Sequence, residues 1–123
     1  MFITELEDFD YRPLIKDGEI VKGWVVTESA LVWDDGTQIH TILPAFKTNL
    51  ASLPFFIKPI LSKLGKHQRA AVLHDYFYGE HIGGKSWADQ QMNKAMIQDG
   101  VSAWRRYIIM SGLFVGGWVA WNK

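Results

Sequence analysis

The hydrophobic residues of the chain change their spacing near residue 54. Before that point, β-branched and aromatic residues form short runs, which is typical of strands. The Asp-Gly sequences at residues 17–18 and 35–36 are hairpin signals, because Asp and Gly tolerate the positive φ angles of tight turns. We therefore predict three or four antiparallel strands in the first half. The apolar runs cover residues 20–26, 31–33 and 37–43.

After residue 54, apolar residues recur at the three- and four-residue spacing of helices, and glycines mark the element ends. We expect Gly79 to cap the end of one helix, Ser86 to cap the start of the next, and Gly100 to end it. Ser102 opens the last helix. The predicted fold is α+β, a small N-terminal antiparallel β-sheet followed by three to four helices. The helical segments cover residues 55–64, 67–78 and 86–99, and a stretch from residue 102 toward the C-terminus.

Composition narrows the class of protein. The chain has 123 residues, of which 48% are hydrophobic and 21% charged, and this fits one domain with one core. We predict a single domain over residues 1–123, with a β-rich half and connecting loop over 1–54 and a helical half over 55–123. There is no cysteine, which excludes disulfides, thiolate zinc sites and a cysteine nucleophile.

The charges balance over the whole chain. Thirteen Lys and Arg residues face thirteen Asp and Glu residues, so the formal net charge is zero. No nucleic-acid partner is expected, because the chain as a whole has no excess of basic residues. A protein near its isoelectric point also lacks charge repulsion between copies, which leaves self-association open.

The last apolar run is rich in aromatic residues. Residues 107–121 would reach about 22 Å as a helix, short of the roughly 30 Å of a bilayer core, so a buried or partner-facing helix is favoured over a membrane span. Gly112 and Gly116 have the small-xxx-small spacing that permits close helix contact, a spacing that is common by chance. The candidate partner-binding residues are Trp104, Trp118 and Trp121.

One helical segment carries a histidine beside a carboxylate. The spacings of three and four place Ala71, His74 and Tyr78 on one face, and Asp75 lies about 100° around the helix. Histidine can accept a proton near neutral pH, and an adjacent carboxylate can hold a cation. The alternative is a buried core histidine with a solvated neighbour, and for a bare His-Asp pair this alternative is favoured.

Asp89 on the next helix is a candidate partner of His74. Two helices joined by a short loop run antiparallel, so Asp89 could approach the imidazole and fix its tautomer. Alternatively, Ser86 and Asp89 form a capping box, and the two roles are compatible. A zinc site from His67, His74 and His81 is weakly supported, because the standard zinc spacings are missing.

The connector between the two halves is a candidate loop near a site. Thr48, Asn49 and Ser52 have short polar side chains that either line such a site or satisfy strand and helix ends. The second reading is favoured when the loop is considered alone.

Together these segments resemble the family of proteins of unknown function DUF1353, found in tailed phages and prophages. Its pattern is a Gly-Phe-x-Thr-Asp-x-Ala-Ser-x-Pro loop, an Ala-x-x-His-Asp-x-x-Tyr helix and an Ala-Asp step. Two positions depart from it, because Ala45 and Asn49 stand where Gly and Asp are usual. The resemblance covers about residues 40–121. The matching residues are Phe46, Thr48, Ala51, Ser52, Pro54, Ala71, His74, Asp75, Tyr78, Ala88 and Asp89.

The His-Asp-x-x-Tyr helix also resembles that of secreted phospholipase A-two and of the phospholipase domain of parvovirus capsids. By this resemblance, His74 is the general base and Asp75 a calcium ligand, while Tyr78 and Asp89 orient the histidine. It implies a calcium-dependent hydrolase acting on phospholipid. Those enzymes have a Gly-rich calcium loop before the histidine helix, whereas this chain has only Gly65 there.

The alternative is a non-catalytic virion, tail or assembly component that binds its partner through the aromatic C-terminal helix. His74, Asp75 and Asp89 would then form a buried polar network between two helices. The resemblance to phage proteins implies other phage proteins or a membrane surface as partners. It also implies a location in the host cytoplasm or the virion, and the acidic residues 1–10 show no signal-peptide pattern.

Overall fold

The computed structural model of the chain describes residues 1–50, 53–54, 57 and 68–122. The chain divides into two compact units, Met1–Leu50 and Ala51–Lys123, which are described separately. In the described parts, five antiparallel strands precede four α-helices, so the predicted α+β fold is confirmed. The helix predicted over residues 55–64 falls on positions of which only Ile57 is described.

The N-terminal unit contains a three-stranded antiparallel sheet in the order β1-β2-β5 and a separate β3-β4 hairpin. Strand β1 lies before the Asp17-Gly18 turn and contains Pro13. Among the described strands it pairs with β2 alone, and such an edge position tolerates proline. The strands are β1 (Tyr11–Lys16), β2 (Glu19–Thr27), β3 (Leu31–Asp34), β4 (Ile39–Ile42) and β5 (Lys47–Thr48), and a 3₁₀ turn covers Leu6–Asp8.

Both predicted Asp-Gly turns are present. Asp17 and Gly18 have φ angles of 54° and 80° between the paired ends of β1 and β2, as a two-residue type I′ turn requires. In the β3-β4 turn, the Asp35 carboxylate accepts the backbone N–H groups of Thr37 and Gln38 at 2.7 and 2.8 Å. These local bonds fix the register that buries the core of this unit. That core includes Phe2, Val26, Leu31, Trp33 and Ile42.

The described part of the second unit contains four helices. Three of its helices pack their apolar side chains into one buried cluster. On each helix these side chains recur at the three- and four-residue spacing of an amphipathic helix. The helices are α1 (Gln68–Glu80), α2 (Lys85–Gln98), α3 (Ala103–Gly116) and α4 (Trp118–Trp121). The fully buried side chains include Leu73, Phe77, Met92, Met96, Ile109 and Leu113.

Two predicted helix caps are wrong. Helix α1 continues through Gly79 and ends with His81 in the left-handed region at φ 51°. There the N–H of His81 bonds the Tyr78 carbonyl and that of Ile82 bonds the Phe77 carbonyl, which is the Schellman arrangement. At the start of α2, Gly84 rather than Ser86 is the N-cap, so Ser86 lies inside the first turn.

The helix boundaries predicted at Gly100 and Ser102 are confirmed. Gly100, with φ 82°, follows the end of α2, and Ser102 is the N-cap of α3. The last helix is broken once, at Gly117, into α3 and α4. Within the ranges that the structure describes, no helix has both the length and the apolar character needed to cross a bilayer.

Candidate functional site at His74

The site lies between helices α1 and α2, which are joined by residues 81–84. Arg69, near the start of α1, bonds Asp99, just past the end of α2. His74, later in α1, bonds Asp89, which is earlier in α2. This order shows that the two helices are antiparallel, as predicted. The expected approach of Asp89 to His74 is therefore confirmed.

The carboxylate of Asp89 is the centre of a hydrogen-bonded network. Its Oδ1 atom lies 2.7 Å from His74 Nε2 and accepts the Tyr78 hydroxyl at 2.6 Å. Its Oδ2 atom accepts Lys85 Nζ at 2.8 Å, and the same ammonium donates to the Leu113 carbonyl at 2.9 Å. One carboxylate thus joins α1 to α2, and Lys85 extends the network to α3.

Burial gives this network its electrostatic character. The His74 side chain is fully buried, and those of Lys85 and Asp89 are 5% and 8% exposed. Burial lowers the pKa of His74 below its ordinary 6.5, although the hydrogen bond that His74 makes to Asp89 opposes the change. The imidazole is therefore neutral at pH 7.

Asp89 remains ionised. Burial raises the pKa of this carboxyl, but the hydrogen bonds from His74, Lys85 and Tyr78 outweigh burial, and the net shift is downward. Burial, with the Asp89 hydrogen bond next, also raises the pKa of Tyr78, which stays protonated. Because an ionised carboxylate only accepts hydrogen bonds, the proton of neutral His74 lies on Nε2. Nδ1 is consequently its basic nitrogen.

Lys85 is a site residue that the sequence analysis missed. It precedes Asp89 by four positions on α2, a spacing at which opposite charges meet on a helix surface, so the pair was visible in the sequence. It also places its ammonium 5.0 Å from the centre of the Trp118 ring. The capping-box reading of Ser86 and Asp89 is wrong, since no side chain caps the start of α2 and Asp89 lies beyond its first turn.

Asp75, the predicted calcium ligand, is half-buried beside His74 and acts on its pKa through its charge. Calcium needs six to eight oxygen ligands. Within residues 1–50 and 68–122 and the few between, no three His, Asp or Glu side chains are grouped as a metal site would need. Asp75 alone does not form a calcium site, so calcium binding stays a prediction. The same holds for the zinc alternative, because His67 lies outside the described residues.

The predicted loop residues belong to the N-terminal unit where they are described. Thr48 is buried in β5, and its hydroxyl oxygen accepts the N–H of Leu50 at 3.0 Å. Asn49 is half-buried, and Ser52 lies outside the described residues. Their proximity to His74 stays a prediction. Ala45, where the DUF1353 pattern has Gly, has a φ of 70°, a region that favours glycine.

The three predicted partner-binding tryptophans have different surroundings. Trp104 and Trp118 are 62% and 52% exposed. The Trp121 ring instead packs edge-on against the Tyr78 ring, with 5.1 Å between the ring centres. The Trp121 carbonyl also accepts Nε2 of His81 at 2.8 Å. Trp121 therefore holds helix α4 against α1.

An open groove of about 450 Å³ lies between α2 and the α3-α4 segment. Its polar residues include Lys85 and Asp89, and its apolar residues include Tyr107, Phe114 and Trp118. The network around His74 therefore reaches a surface groove through Lys85 and Asp89, whereas His74 itself does not line that groove.

A second buried ion pair joins the far ends of the same two helices. Arg69 donates from Nε to both carboxylate oxygens of Asp99, at 3.0 and 2.8 Å, and also from a terminal nitrogen. Both side chains are almost completely buried. Because this pair lies away from His74, it secures the helix pairing independently of the Asp89 network.

Comparison with known proteins places the chain in a family. Searches of curated proteins and of solved structures find no match. A family model described as "Protein of unknown function (DUF1353)" matches residues 24–112, which is well over half of the chain. The matched range includes His74, Tyr78, Lys85 and Asp89, the four residues of the buried network. The chain therefore belongs to the DUF1353 family of proteins of unknown function.

Proposed function

We propose that this protein is a small phage-encoded hydrolase in which His74 is the general base, with phospholipid esters as the substrate class. The observation that carries the proposal is the position of Asp89 Oδ1, which bonds both His74 Nε2 and the Tyr78 hydroxyl. A carboxylate on one imidazole nitrogen fixes the tautomer and stabilises the ring when it becomes charged.

In the proposed reaction, His74 Nδ1 removes a proton from water while the water oxygen attacks the ester carbonyl. The imidazolium, stabilised by ionised Asp89, then gives that proton to the departing alkoxide, and a carboxylic acid and an alcohol result. The low pKa of His74 favours this role, because the imidazole begins the cycle neutral. Tyr78 is a positioning residue that holds Asp89.

The substrate class rests on the resemblance of the His-Asp-x-x-Tyr helix to phospholipases. It also rests on the apolar groove that reaches Asp89 and Lys85, which suits an acyl chain next to a polar group. Since His74 is fully buried, the proposal requires that substrate binding uncover Nδ1. Calcium stays a prediction, and no step above depends on it.

The test is fatty-acid release from phospholipid vesicles by the purified protein, with calcium and with a chelator. We expect His74→Ala to lower the rate by about a hundredfold or more, because a general base contributes on that order. Tyr78→Phe keeps the ring and removes only the hydroxyl, so it should change the pH profile while the fold is retained. His81→Ala is the matched control, since it removes a histidine outside the Asp89 network.

If the folded wild-type protein releases no fatty acid under either condition, or if His74→Ala hydrolyses at the wild-type rate, the hydrolase proposal is wrong. The non-catalytic alternative then stands, in which the Asp89 network joins α1 to α2 and the protein is a virion, tail or assembly component. Co-purification with virions in a fixed copy number would support that alternative.

A further inference from the structure

One side of the C-terminal helices is apolar and exposed. The buried residues Ile109 and Leu113 of α3 face the core of this unit, and the opposite side carries large hydrophobic residues at spacings of three and four. The exposed fractions reach 75% for Tyr107 and 78% for both Phe114 and Val115. We call this surface the aromatic face, defined by Trp104, Tyr107, Phe114, Val115, Trp118 and Val119.

The aromatic face is a continuous stripe. Gly117 keeps helical backbone angles and bonds the Leu113 carbonyl, so the helical spacing carries over from α3 into α4. From residue 104 to residue 119 the stripe extends about 22 Å at the helical rise of about 1.5 Å per residue. A contiguous exposed apolar surface on one side of a folded unit marks an interaction surface.

Charge is distributed unevenly along the sequence. Residues 51–123 contain nine Lys or Arg and four Asp or Glu, which gives a formal net charge of +5. Residues 1–50 contain four Lys or Arg and nine Asp or Glu, which gives a formal net charge of −5. After Asp99 there is no acidic residue, while Arg105, Arg106 and Lys123 are basic. The segment that carries the aromatic face is therefore purely cationic in its charged groups.

We propose that the aromatic face binds the surface of an anionic phospholipid bilayer, with the α3-α4 segment lying in the plane of the interface. Trp and Tyr side chains favour the interface between headgroups and acyl chains, because each has an apolar ring and a polar group. Phe114, Val115 and Val119 enter the acyl boundary, and the positive charge attracts anionic headgroups. Arg105 and Arg106 of this segment favour an anionic lipid surface over a second copy, which would carry the same positive charges.

The local cations are placed for this role. The Arg105 guanidinium lies 5.0 Å from the centre of the Trp104 ring, so charge and aromatic surface are adjacent at one end of the stripe. Lys85 is adjacent to the Trp118 ring near the other end, although its charge is balanced by Asp89. Insertion of the rings therefore brings the Arg105 charge to the headgroups.

The test is flotation of the full chain with two sets of vesicles, phosphatidylcholine alone and phosphatidylcholine mixed with phosphatidylglycerol. We expect binding to the mixed vesicles that weakens as salt is added, because salt screens the attraction. Phe114→Glu should lower the partition coefficient by about tenfold or more, since it removes a large inserted ring and adds a negative charge.

Ile97→Glu is the matched control, because it makes the same change in charge at a residue of α2 that is 53% exposed and lies off the aromatic face. It should bind within about twofold of the wild type. Circular dichroism of both variants checks the fold, which exposed positions should leave unchanged.

Failure of the wild type to bind anionic vesicles overturns the proposal, as does equal loss of binding in Phe114→Glu and Ile97→Glu. Concentration-dependent self-association that Phe114→Glu abolishes, without vesicle binding, would assign the face to a second copy instead. The assay measures binding without turnover, so its result is separate from the fate of the hydrolase proposal. Hydrolysis can fail while the binding prediction holds.

Discussion

Asp89 Oδ1 lies 2.7 Å from His74 Nε2, and the two residues belong to different helices. The same carboxylate also accepts hydrogen bonds from Lys85 and Tyr78, so three side chains depend on its charge. A complete network of this kind stabilises the folded state. Loss of one member destabilises the folded state, because the remaining polar groups stay buried without partners.

Asp89→Ala is therefore expected to reduce the free energy of unfolding by about 3–5 kcal/mol, since it leaves the Lys85 ammonium buried without its counter-ion. Urea titration followed by circular dichroism measures the change. The double variant Asp89→Ala/Lys85→Met should recover part of the loss, because it removes the stranded charge. A double variant no more stable than Asp89→Ala would contradict this account.

Stability should depend on pH through His74. Its folded-state pKa lies below 6.5, so below pH 6.5 the unfolded chain binds a proton that the folded chain does not. The contribution of His74 is complete above pH 6.5 and is lost as the pH falls toward the folded-state pKa, with a slope of at most about 1.4 kcal/mol per pH unit. Urea titrations across this range should show a weaker slope for His74→Gln, and parallel curves would refute the assignment.

Gly117→Ala should be destabilising. A Cβ atom at this position would lie 2.6 Å from the Leu113 carbonyl oxygen and 3.0 Å from both Lys85 Cε and the Tyr78 hydroxyl. We expect a loss of about 1–3 kcal/mol from overpacking, measured by thermal or urea unfolding.

Gly79→Ala is the matched control for that substitution. Gly79 is inside α1, and no atom of the described residues lies within 4 Å of a Cβ built there. The variant should be neutral or more stable by up to about 1 kcal/mol, because alanine favours the helix. Equal losses in the two glycine variants would show that close packing at Gly117 is not the cause.

Ala45→Gly should stabilise the N-terminal unit by about 1 kcal/mol, because Ala45 has a φ of 70°, which costs an L-residue about that much. Ala30→Gly is the opposite control. The φ of Ala30 is not positive, so glycine there should cost about 0.5–1 kcal/mol. Thermal unfolding of the two variants should shift in opposite directions, and a shift in the same direction would contradict the prediction.

Local signals in the sequence predicted much of this fold. The change from strand to helix spacing, the two Asp-Gly turns, and the boundaries at Gly100 and Ser102 depend on nearby residues, and the structure confirms them. The cap at Gly79 was wrong because the bonds that close α1 are made by His81 and Ile82, and the cap at Ser86 was wrong because Gly84 is the N-cap of α2. Short-range preference does not determine which turn completes a helix.

The candidate site was predictable in part. Helix periodicity and an antiparallel pairing were enough to bring Asp89 to His74. The bond from Lys85 to the Leu113 carbonyl depends on how α3 packs, and no spacing along the chain encodes that contact. The zero net charge of the whole chain also hid the separation into a −5 half and a +5 half.

The position of Lys85 makes the groove and the histidine parts of one thermodynamic linkage. The Lys85 ammonium lines the groove and bonds Asp89. Burial is the main cause of the lowered pKa of His74, and the charge of Lys85 lowers it further. An anionic ligand in the groove that attracted the Lys85 ammonium would weaken the effect of this charge on His74. The pKa of His74 would then rise. Linkage is reciprocal, so protonation of His74 would raise the affinity of the groove for that anionic ligand by the same factor.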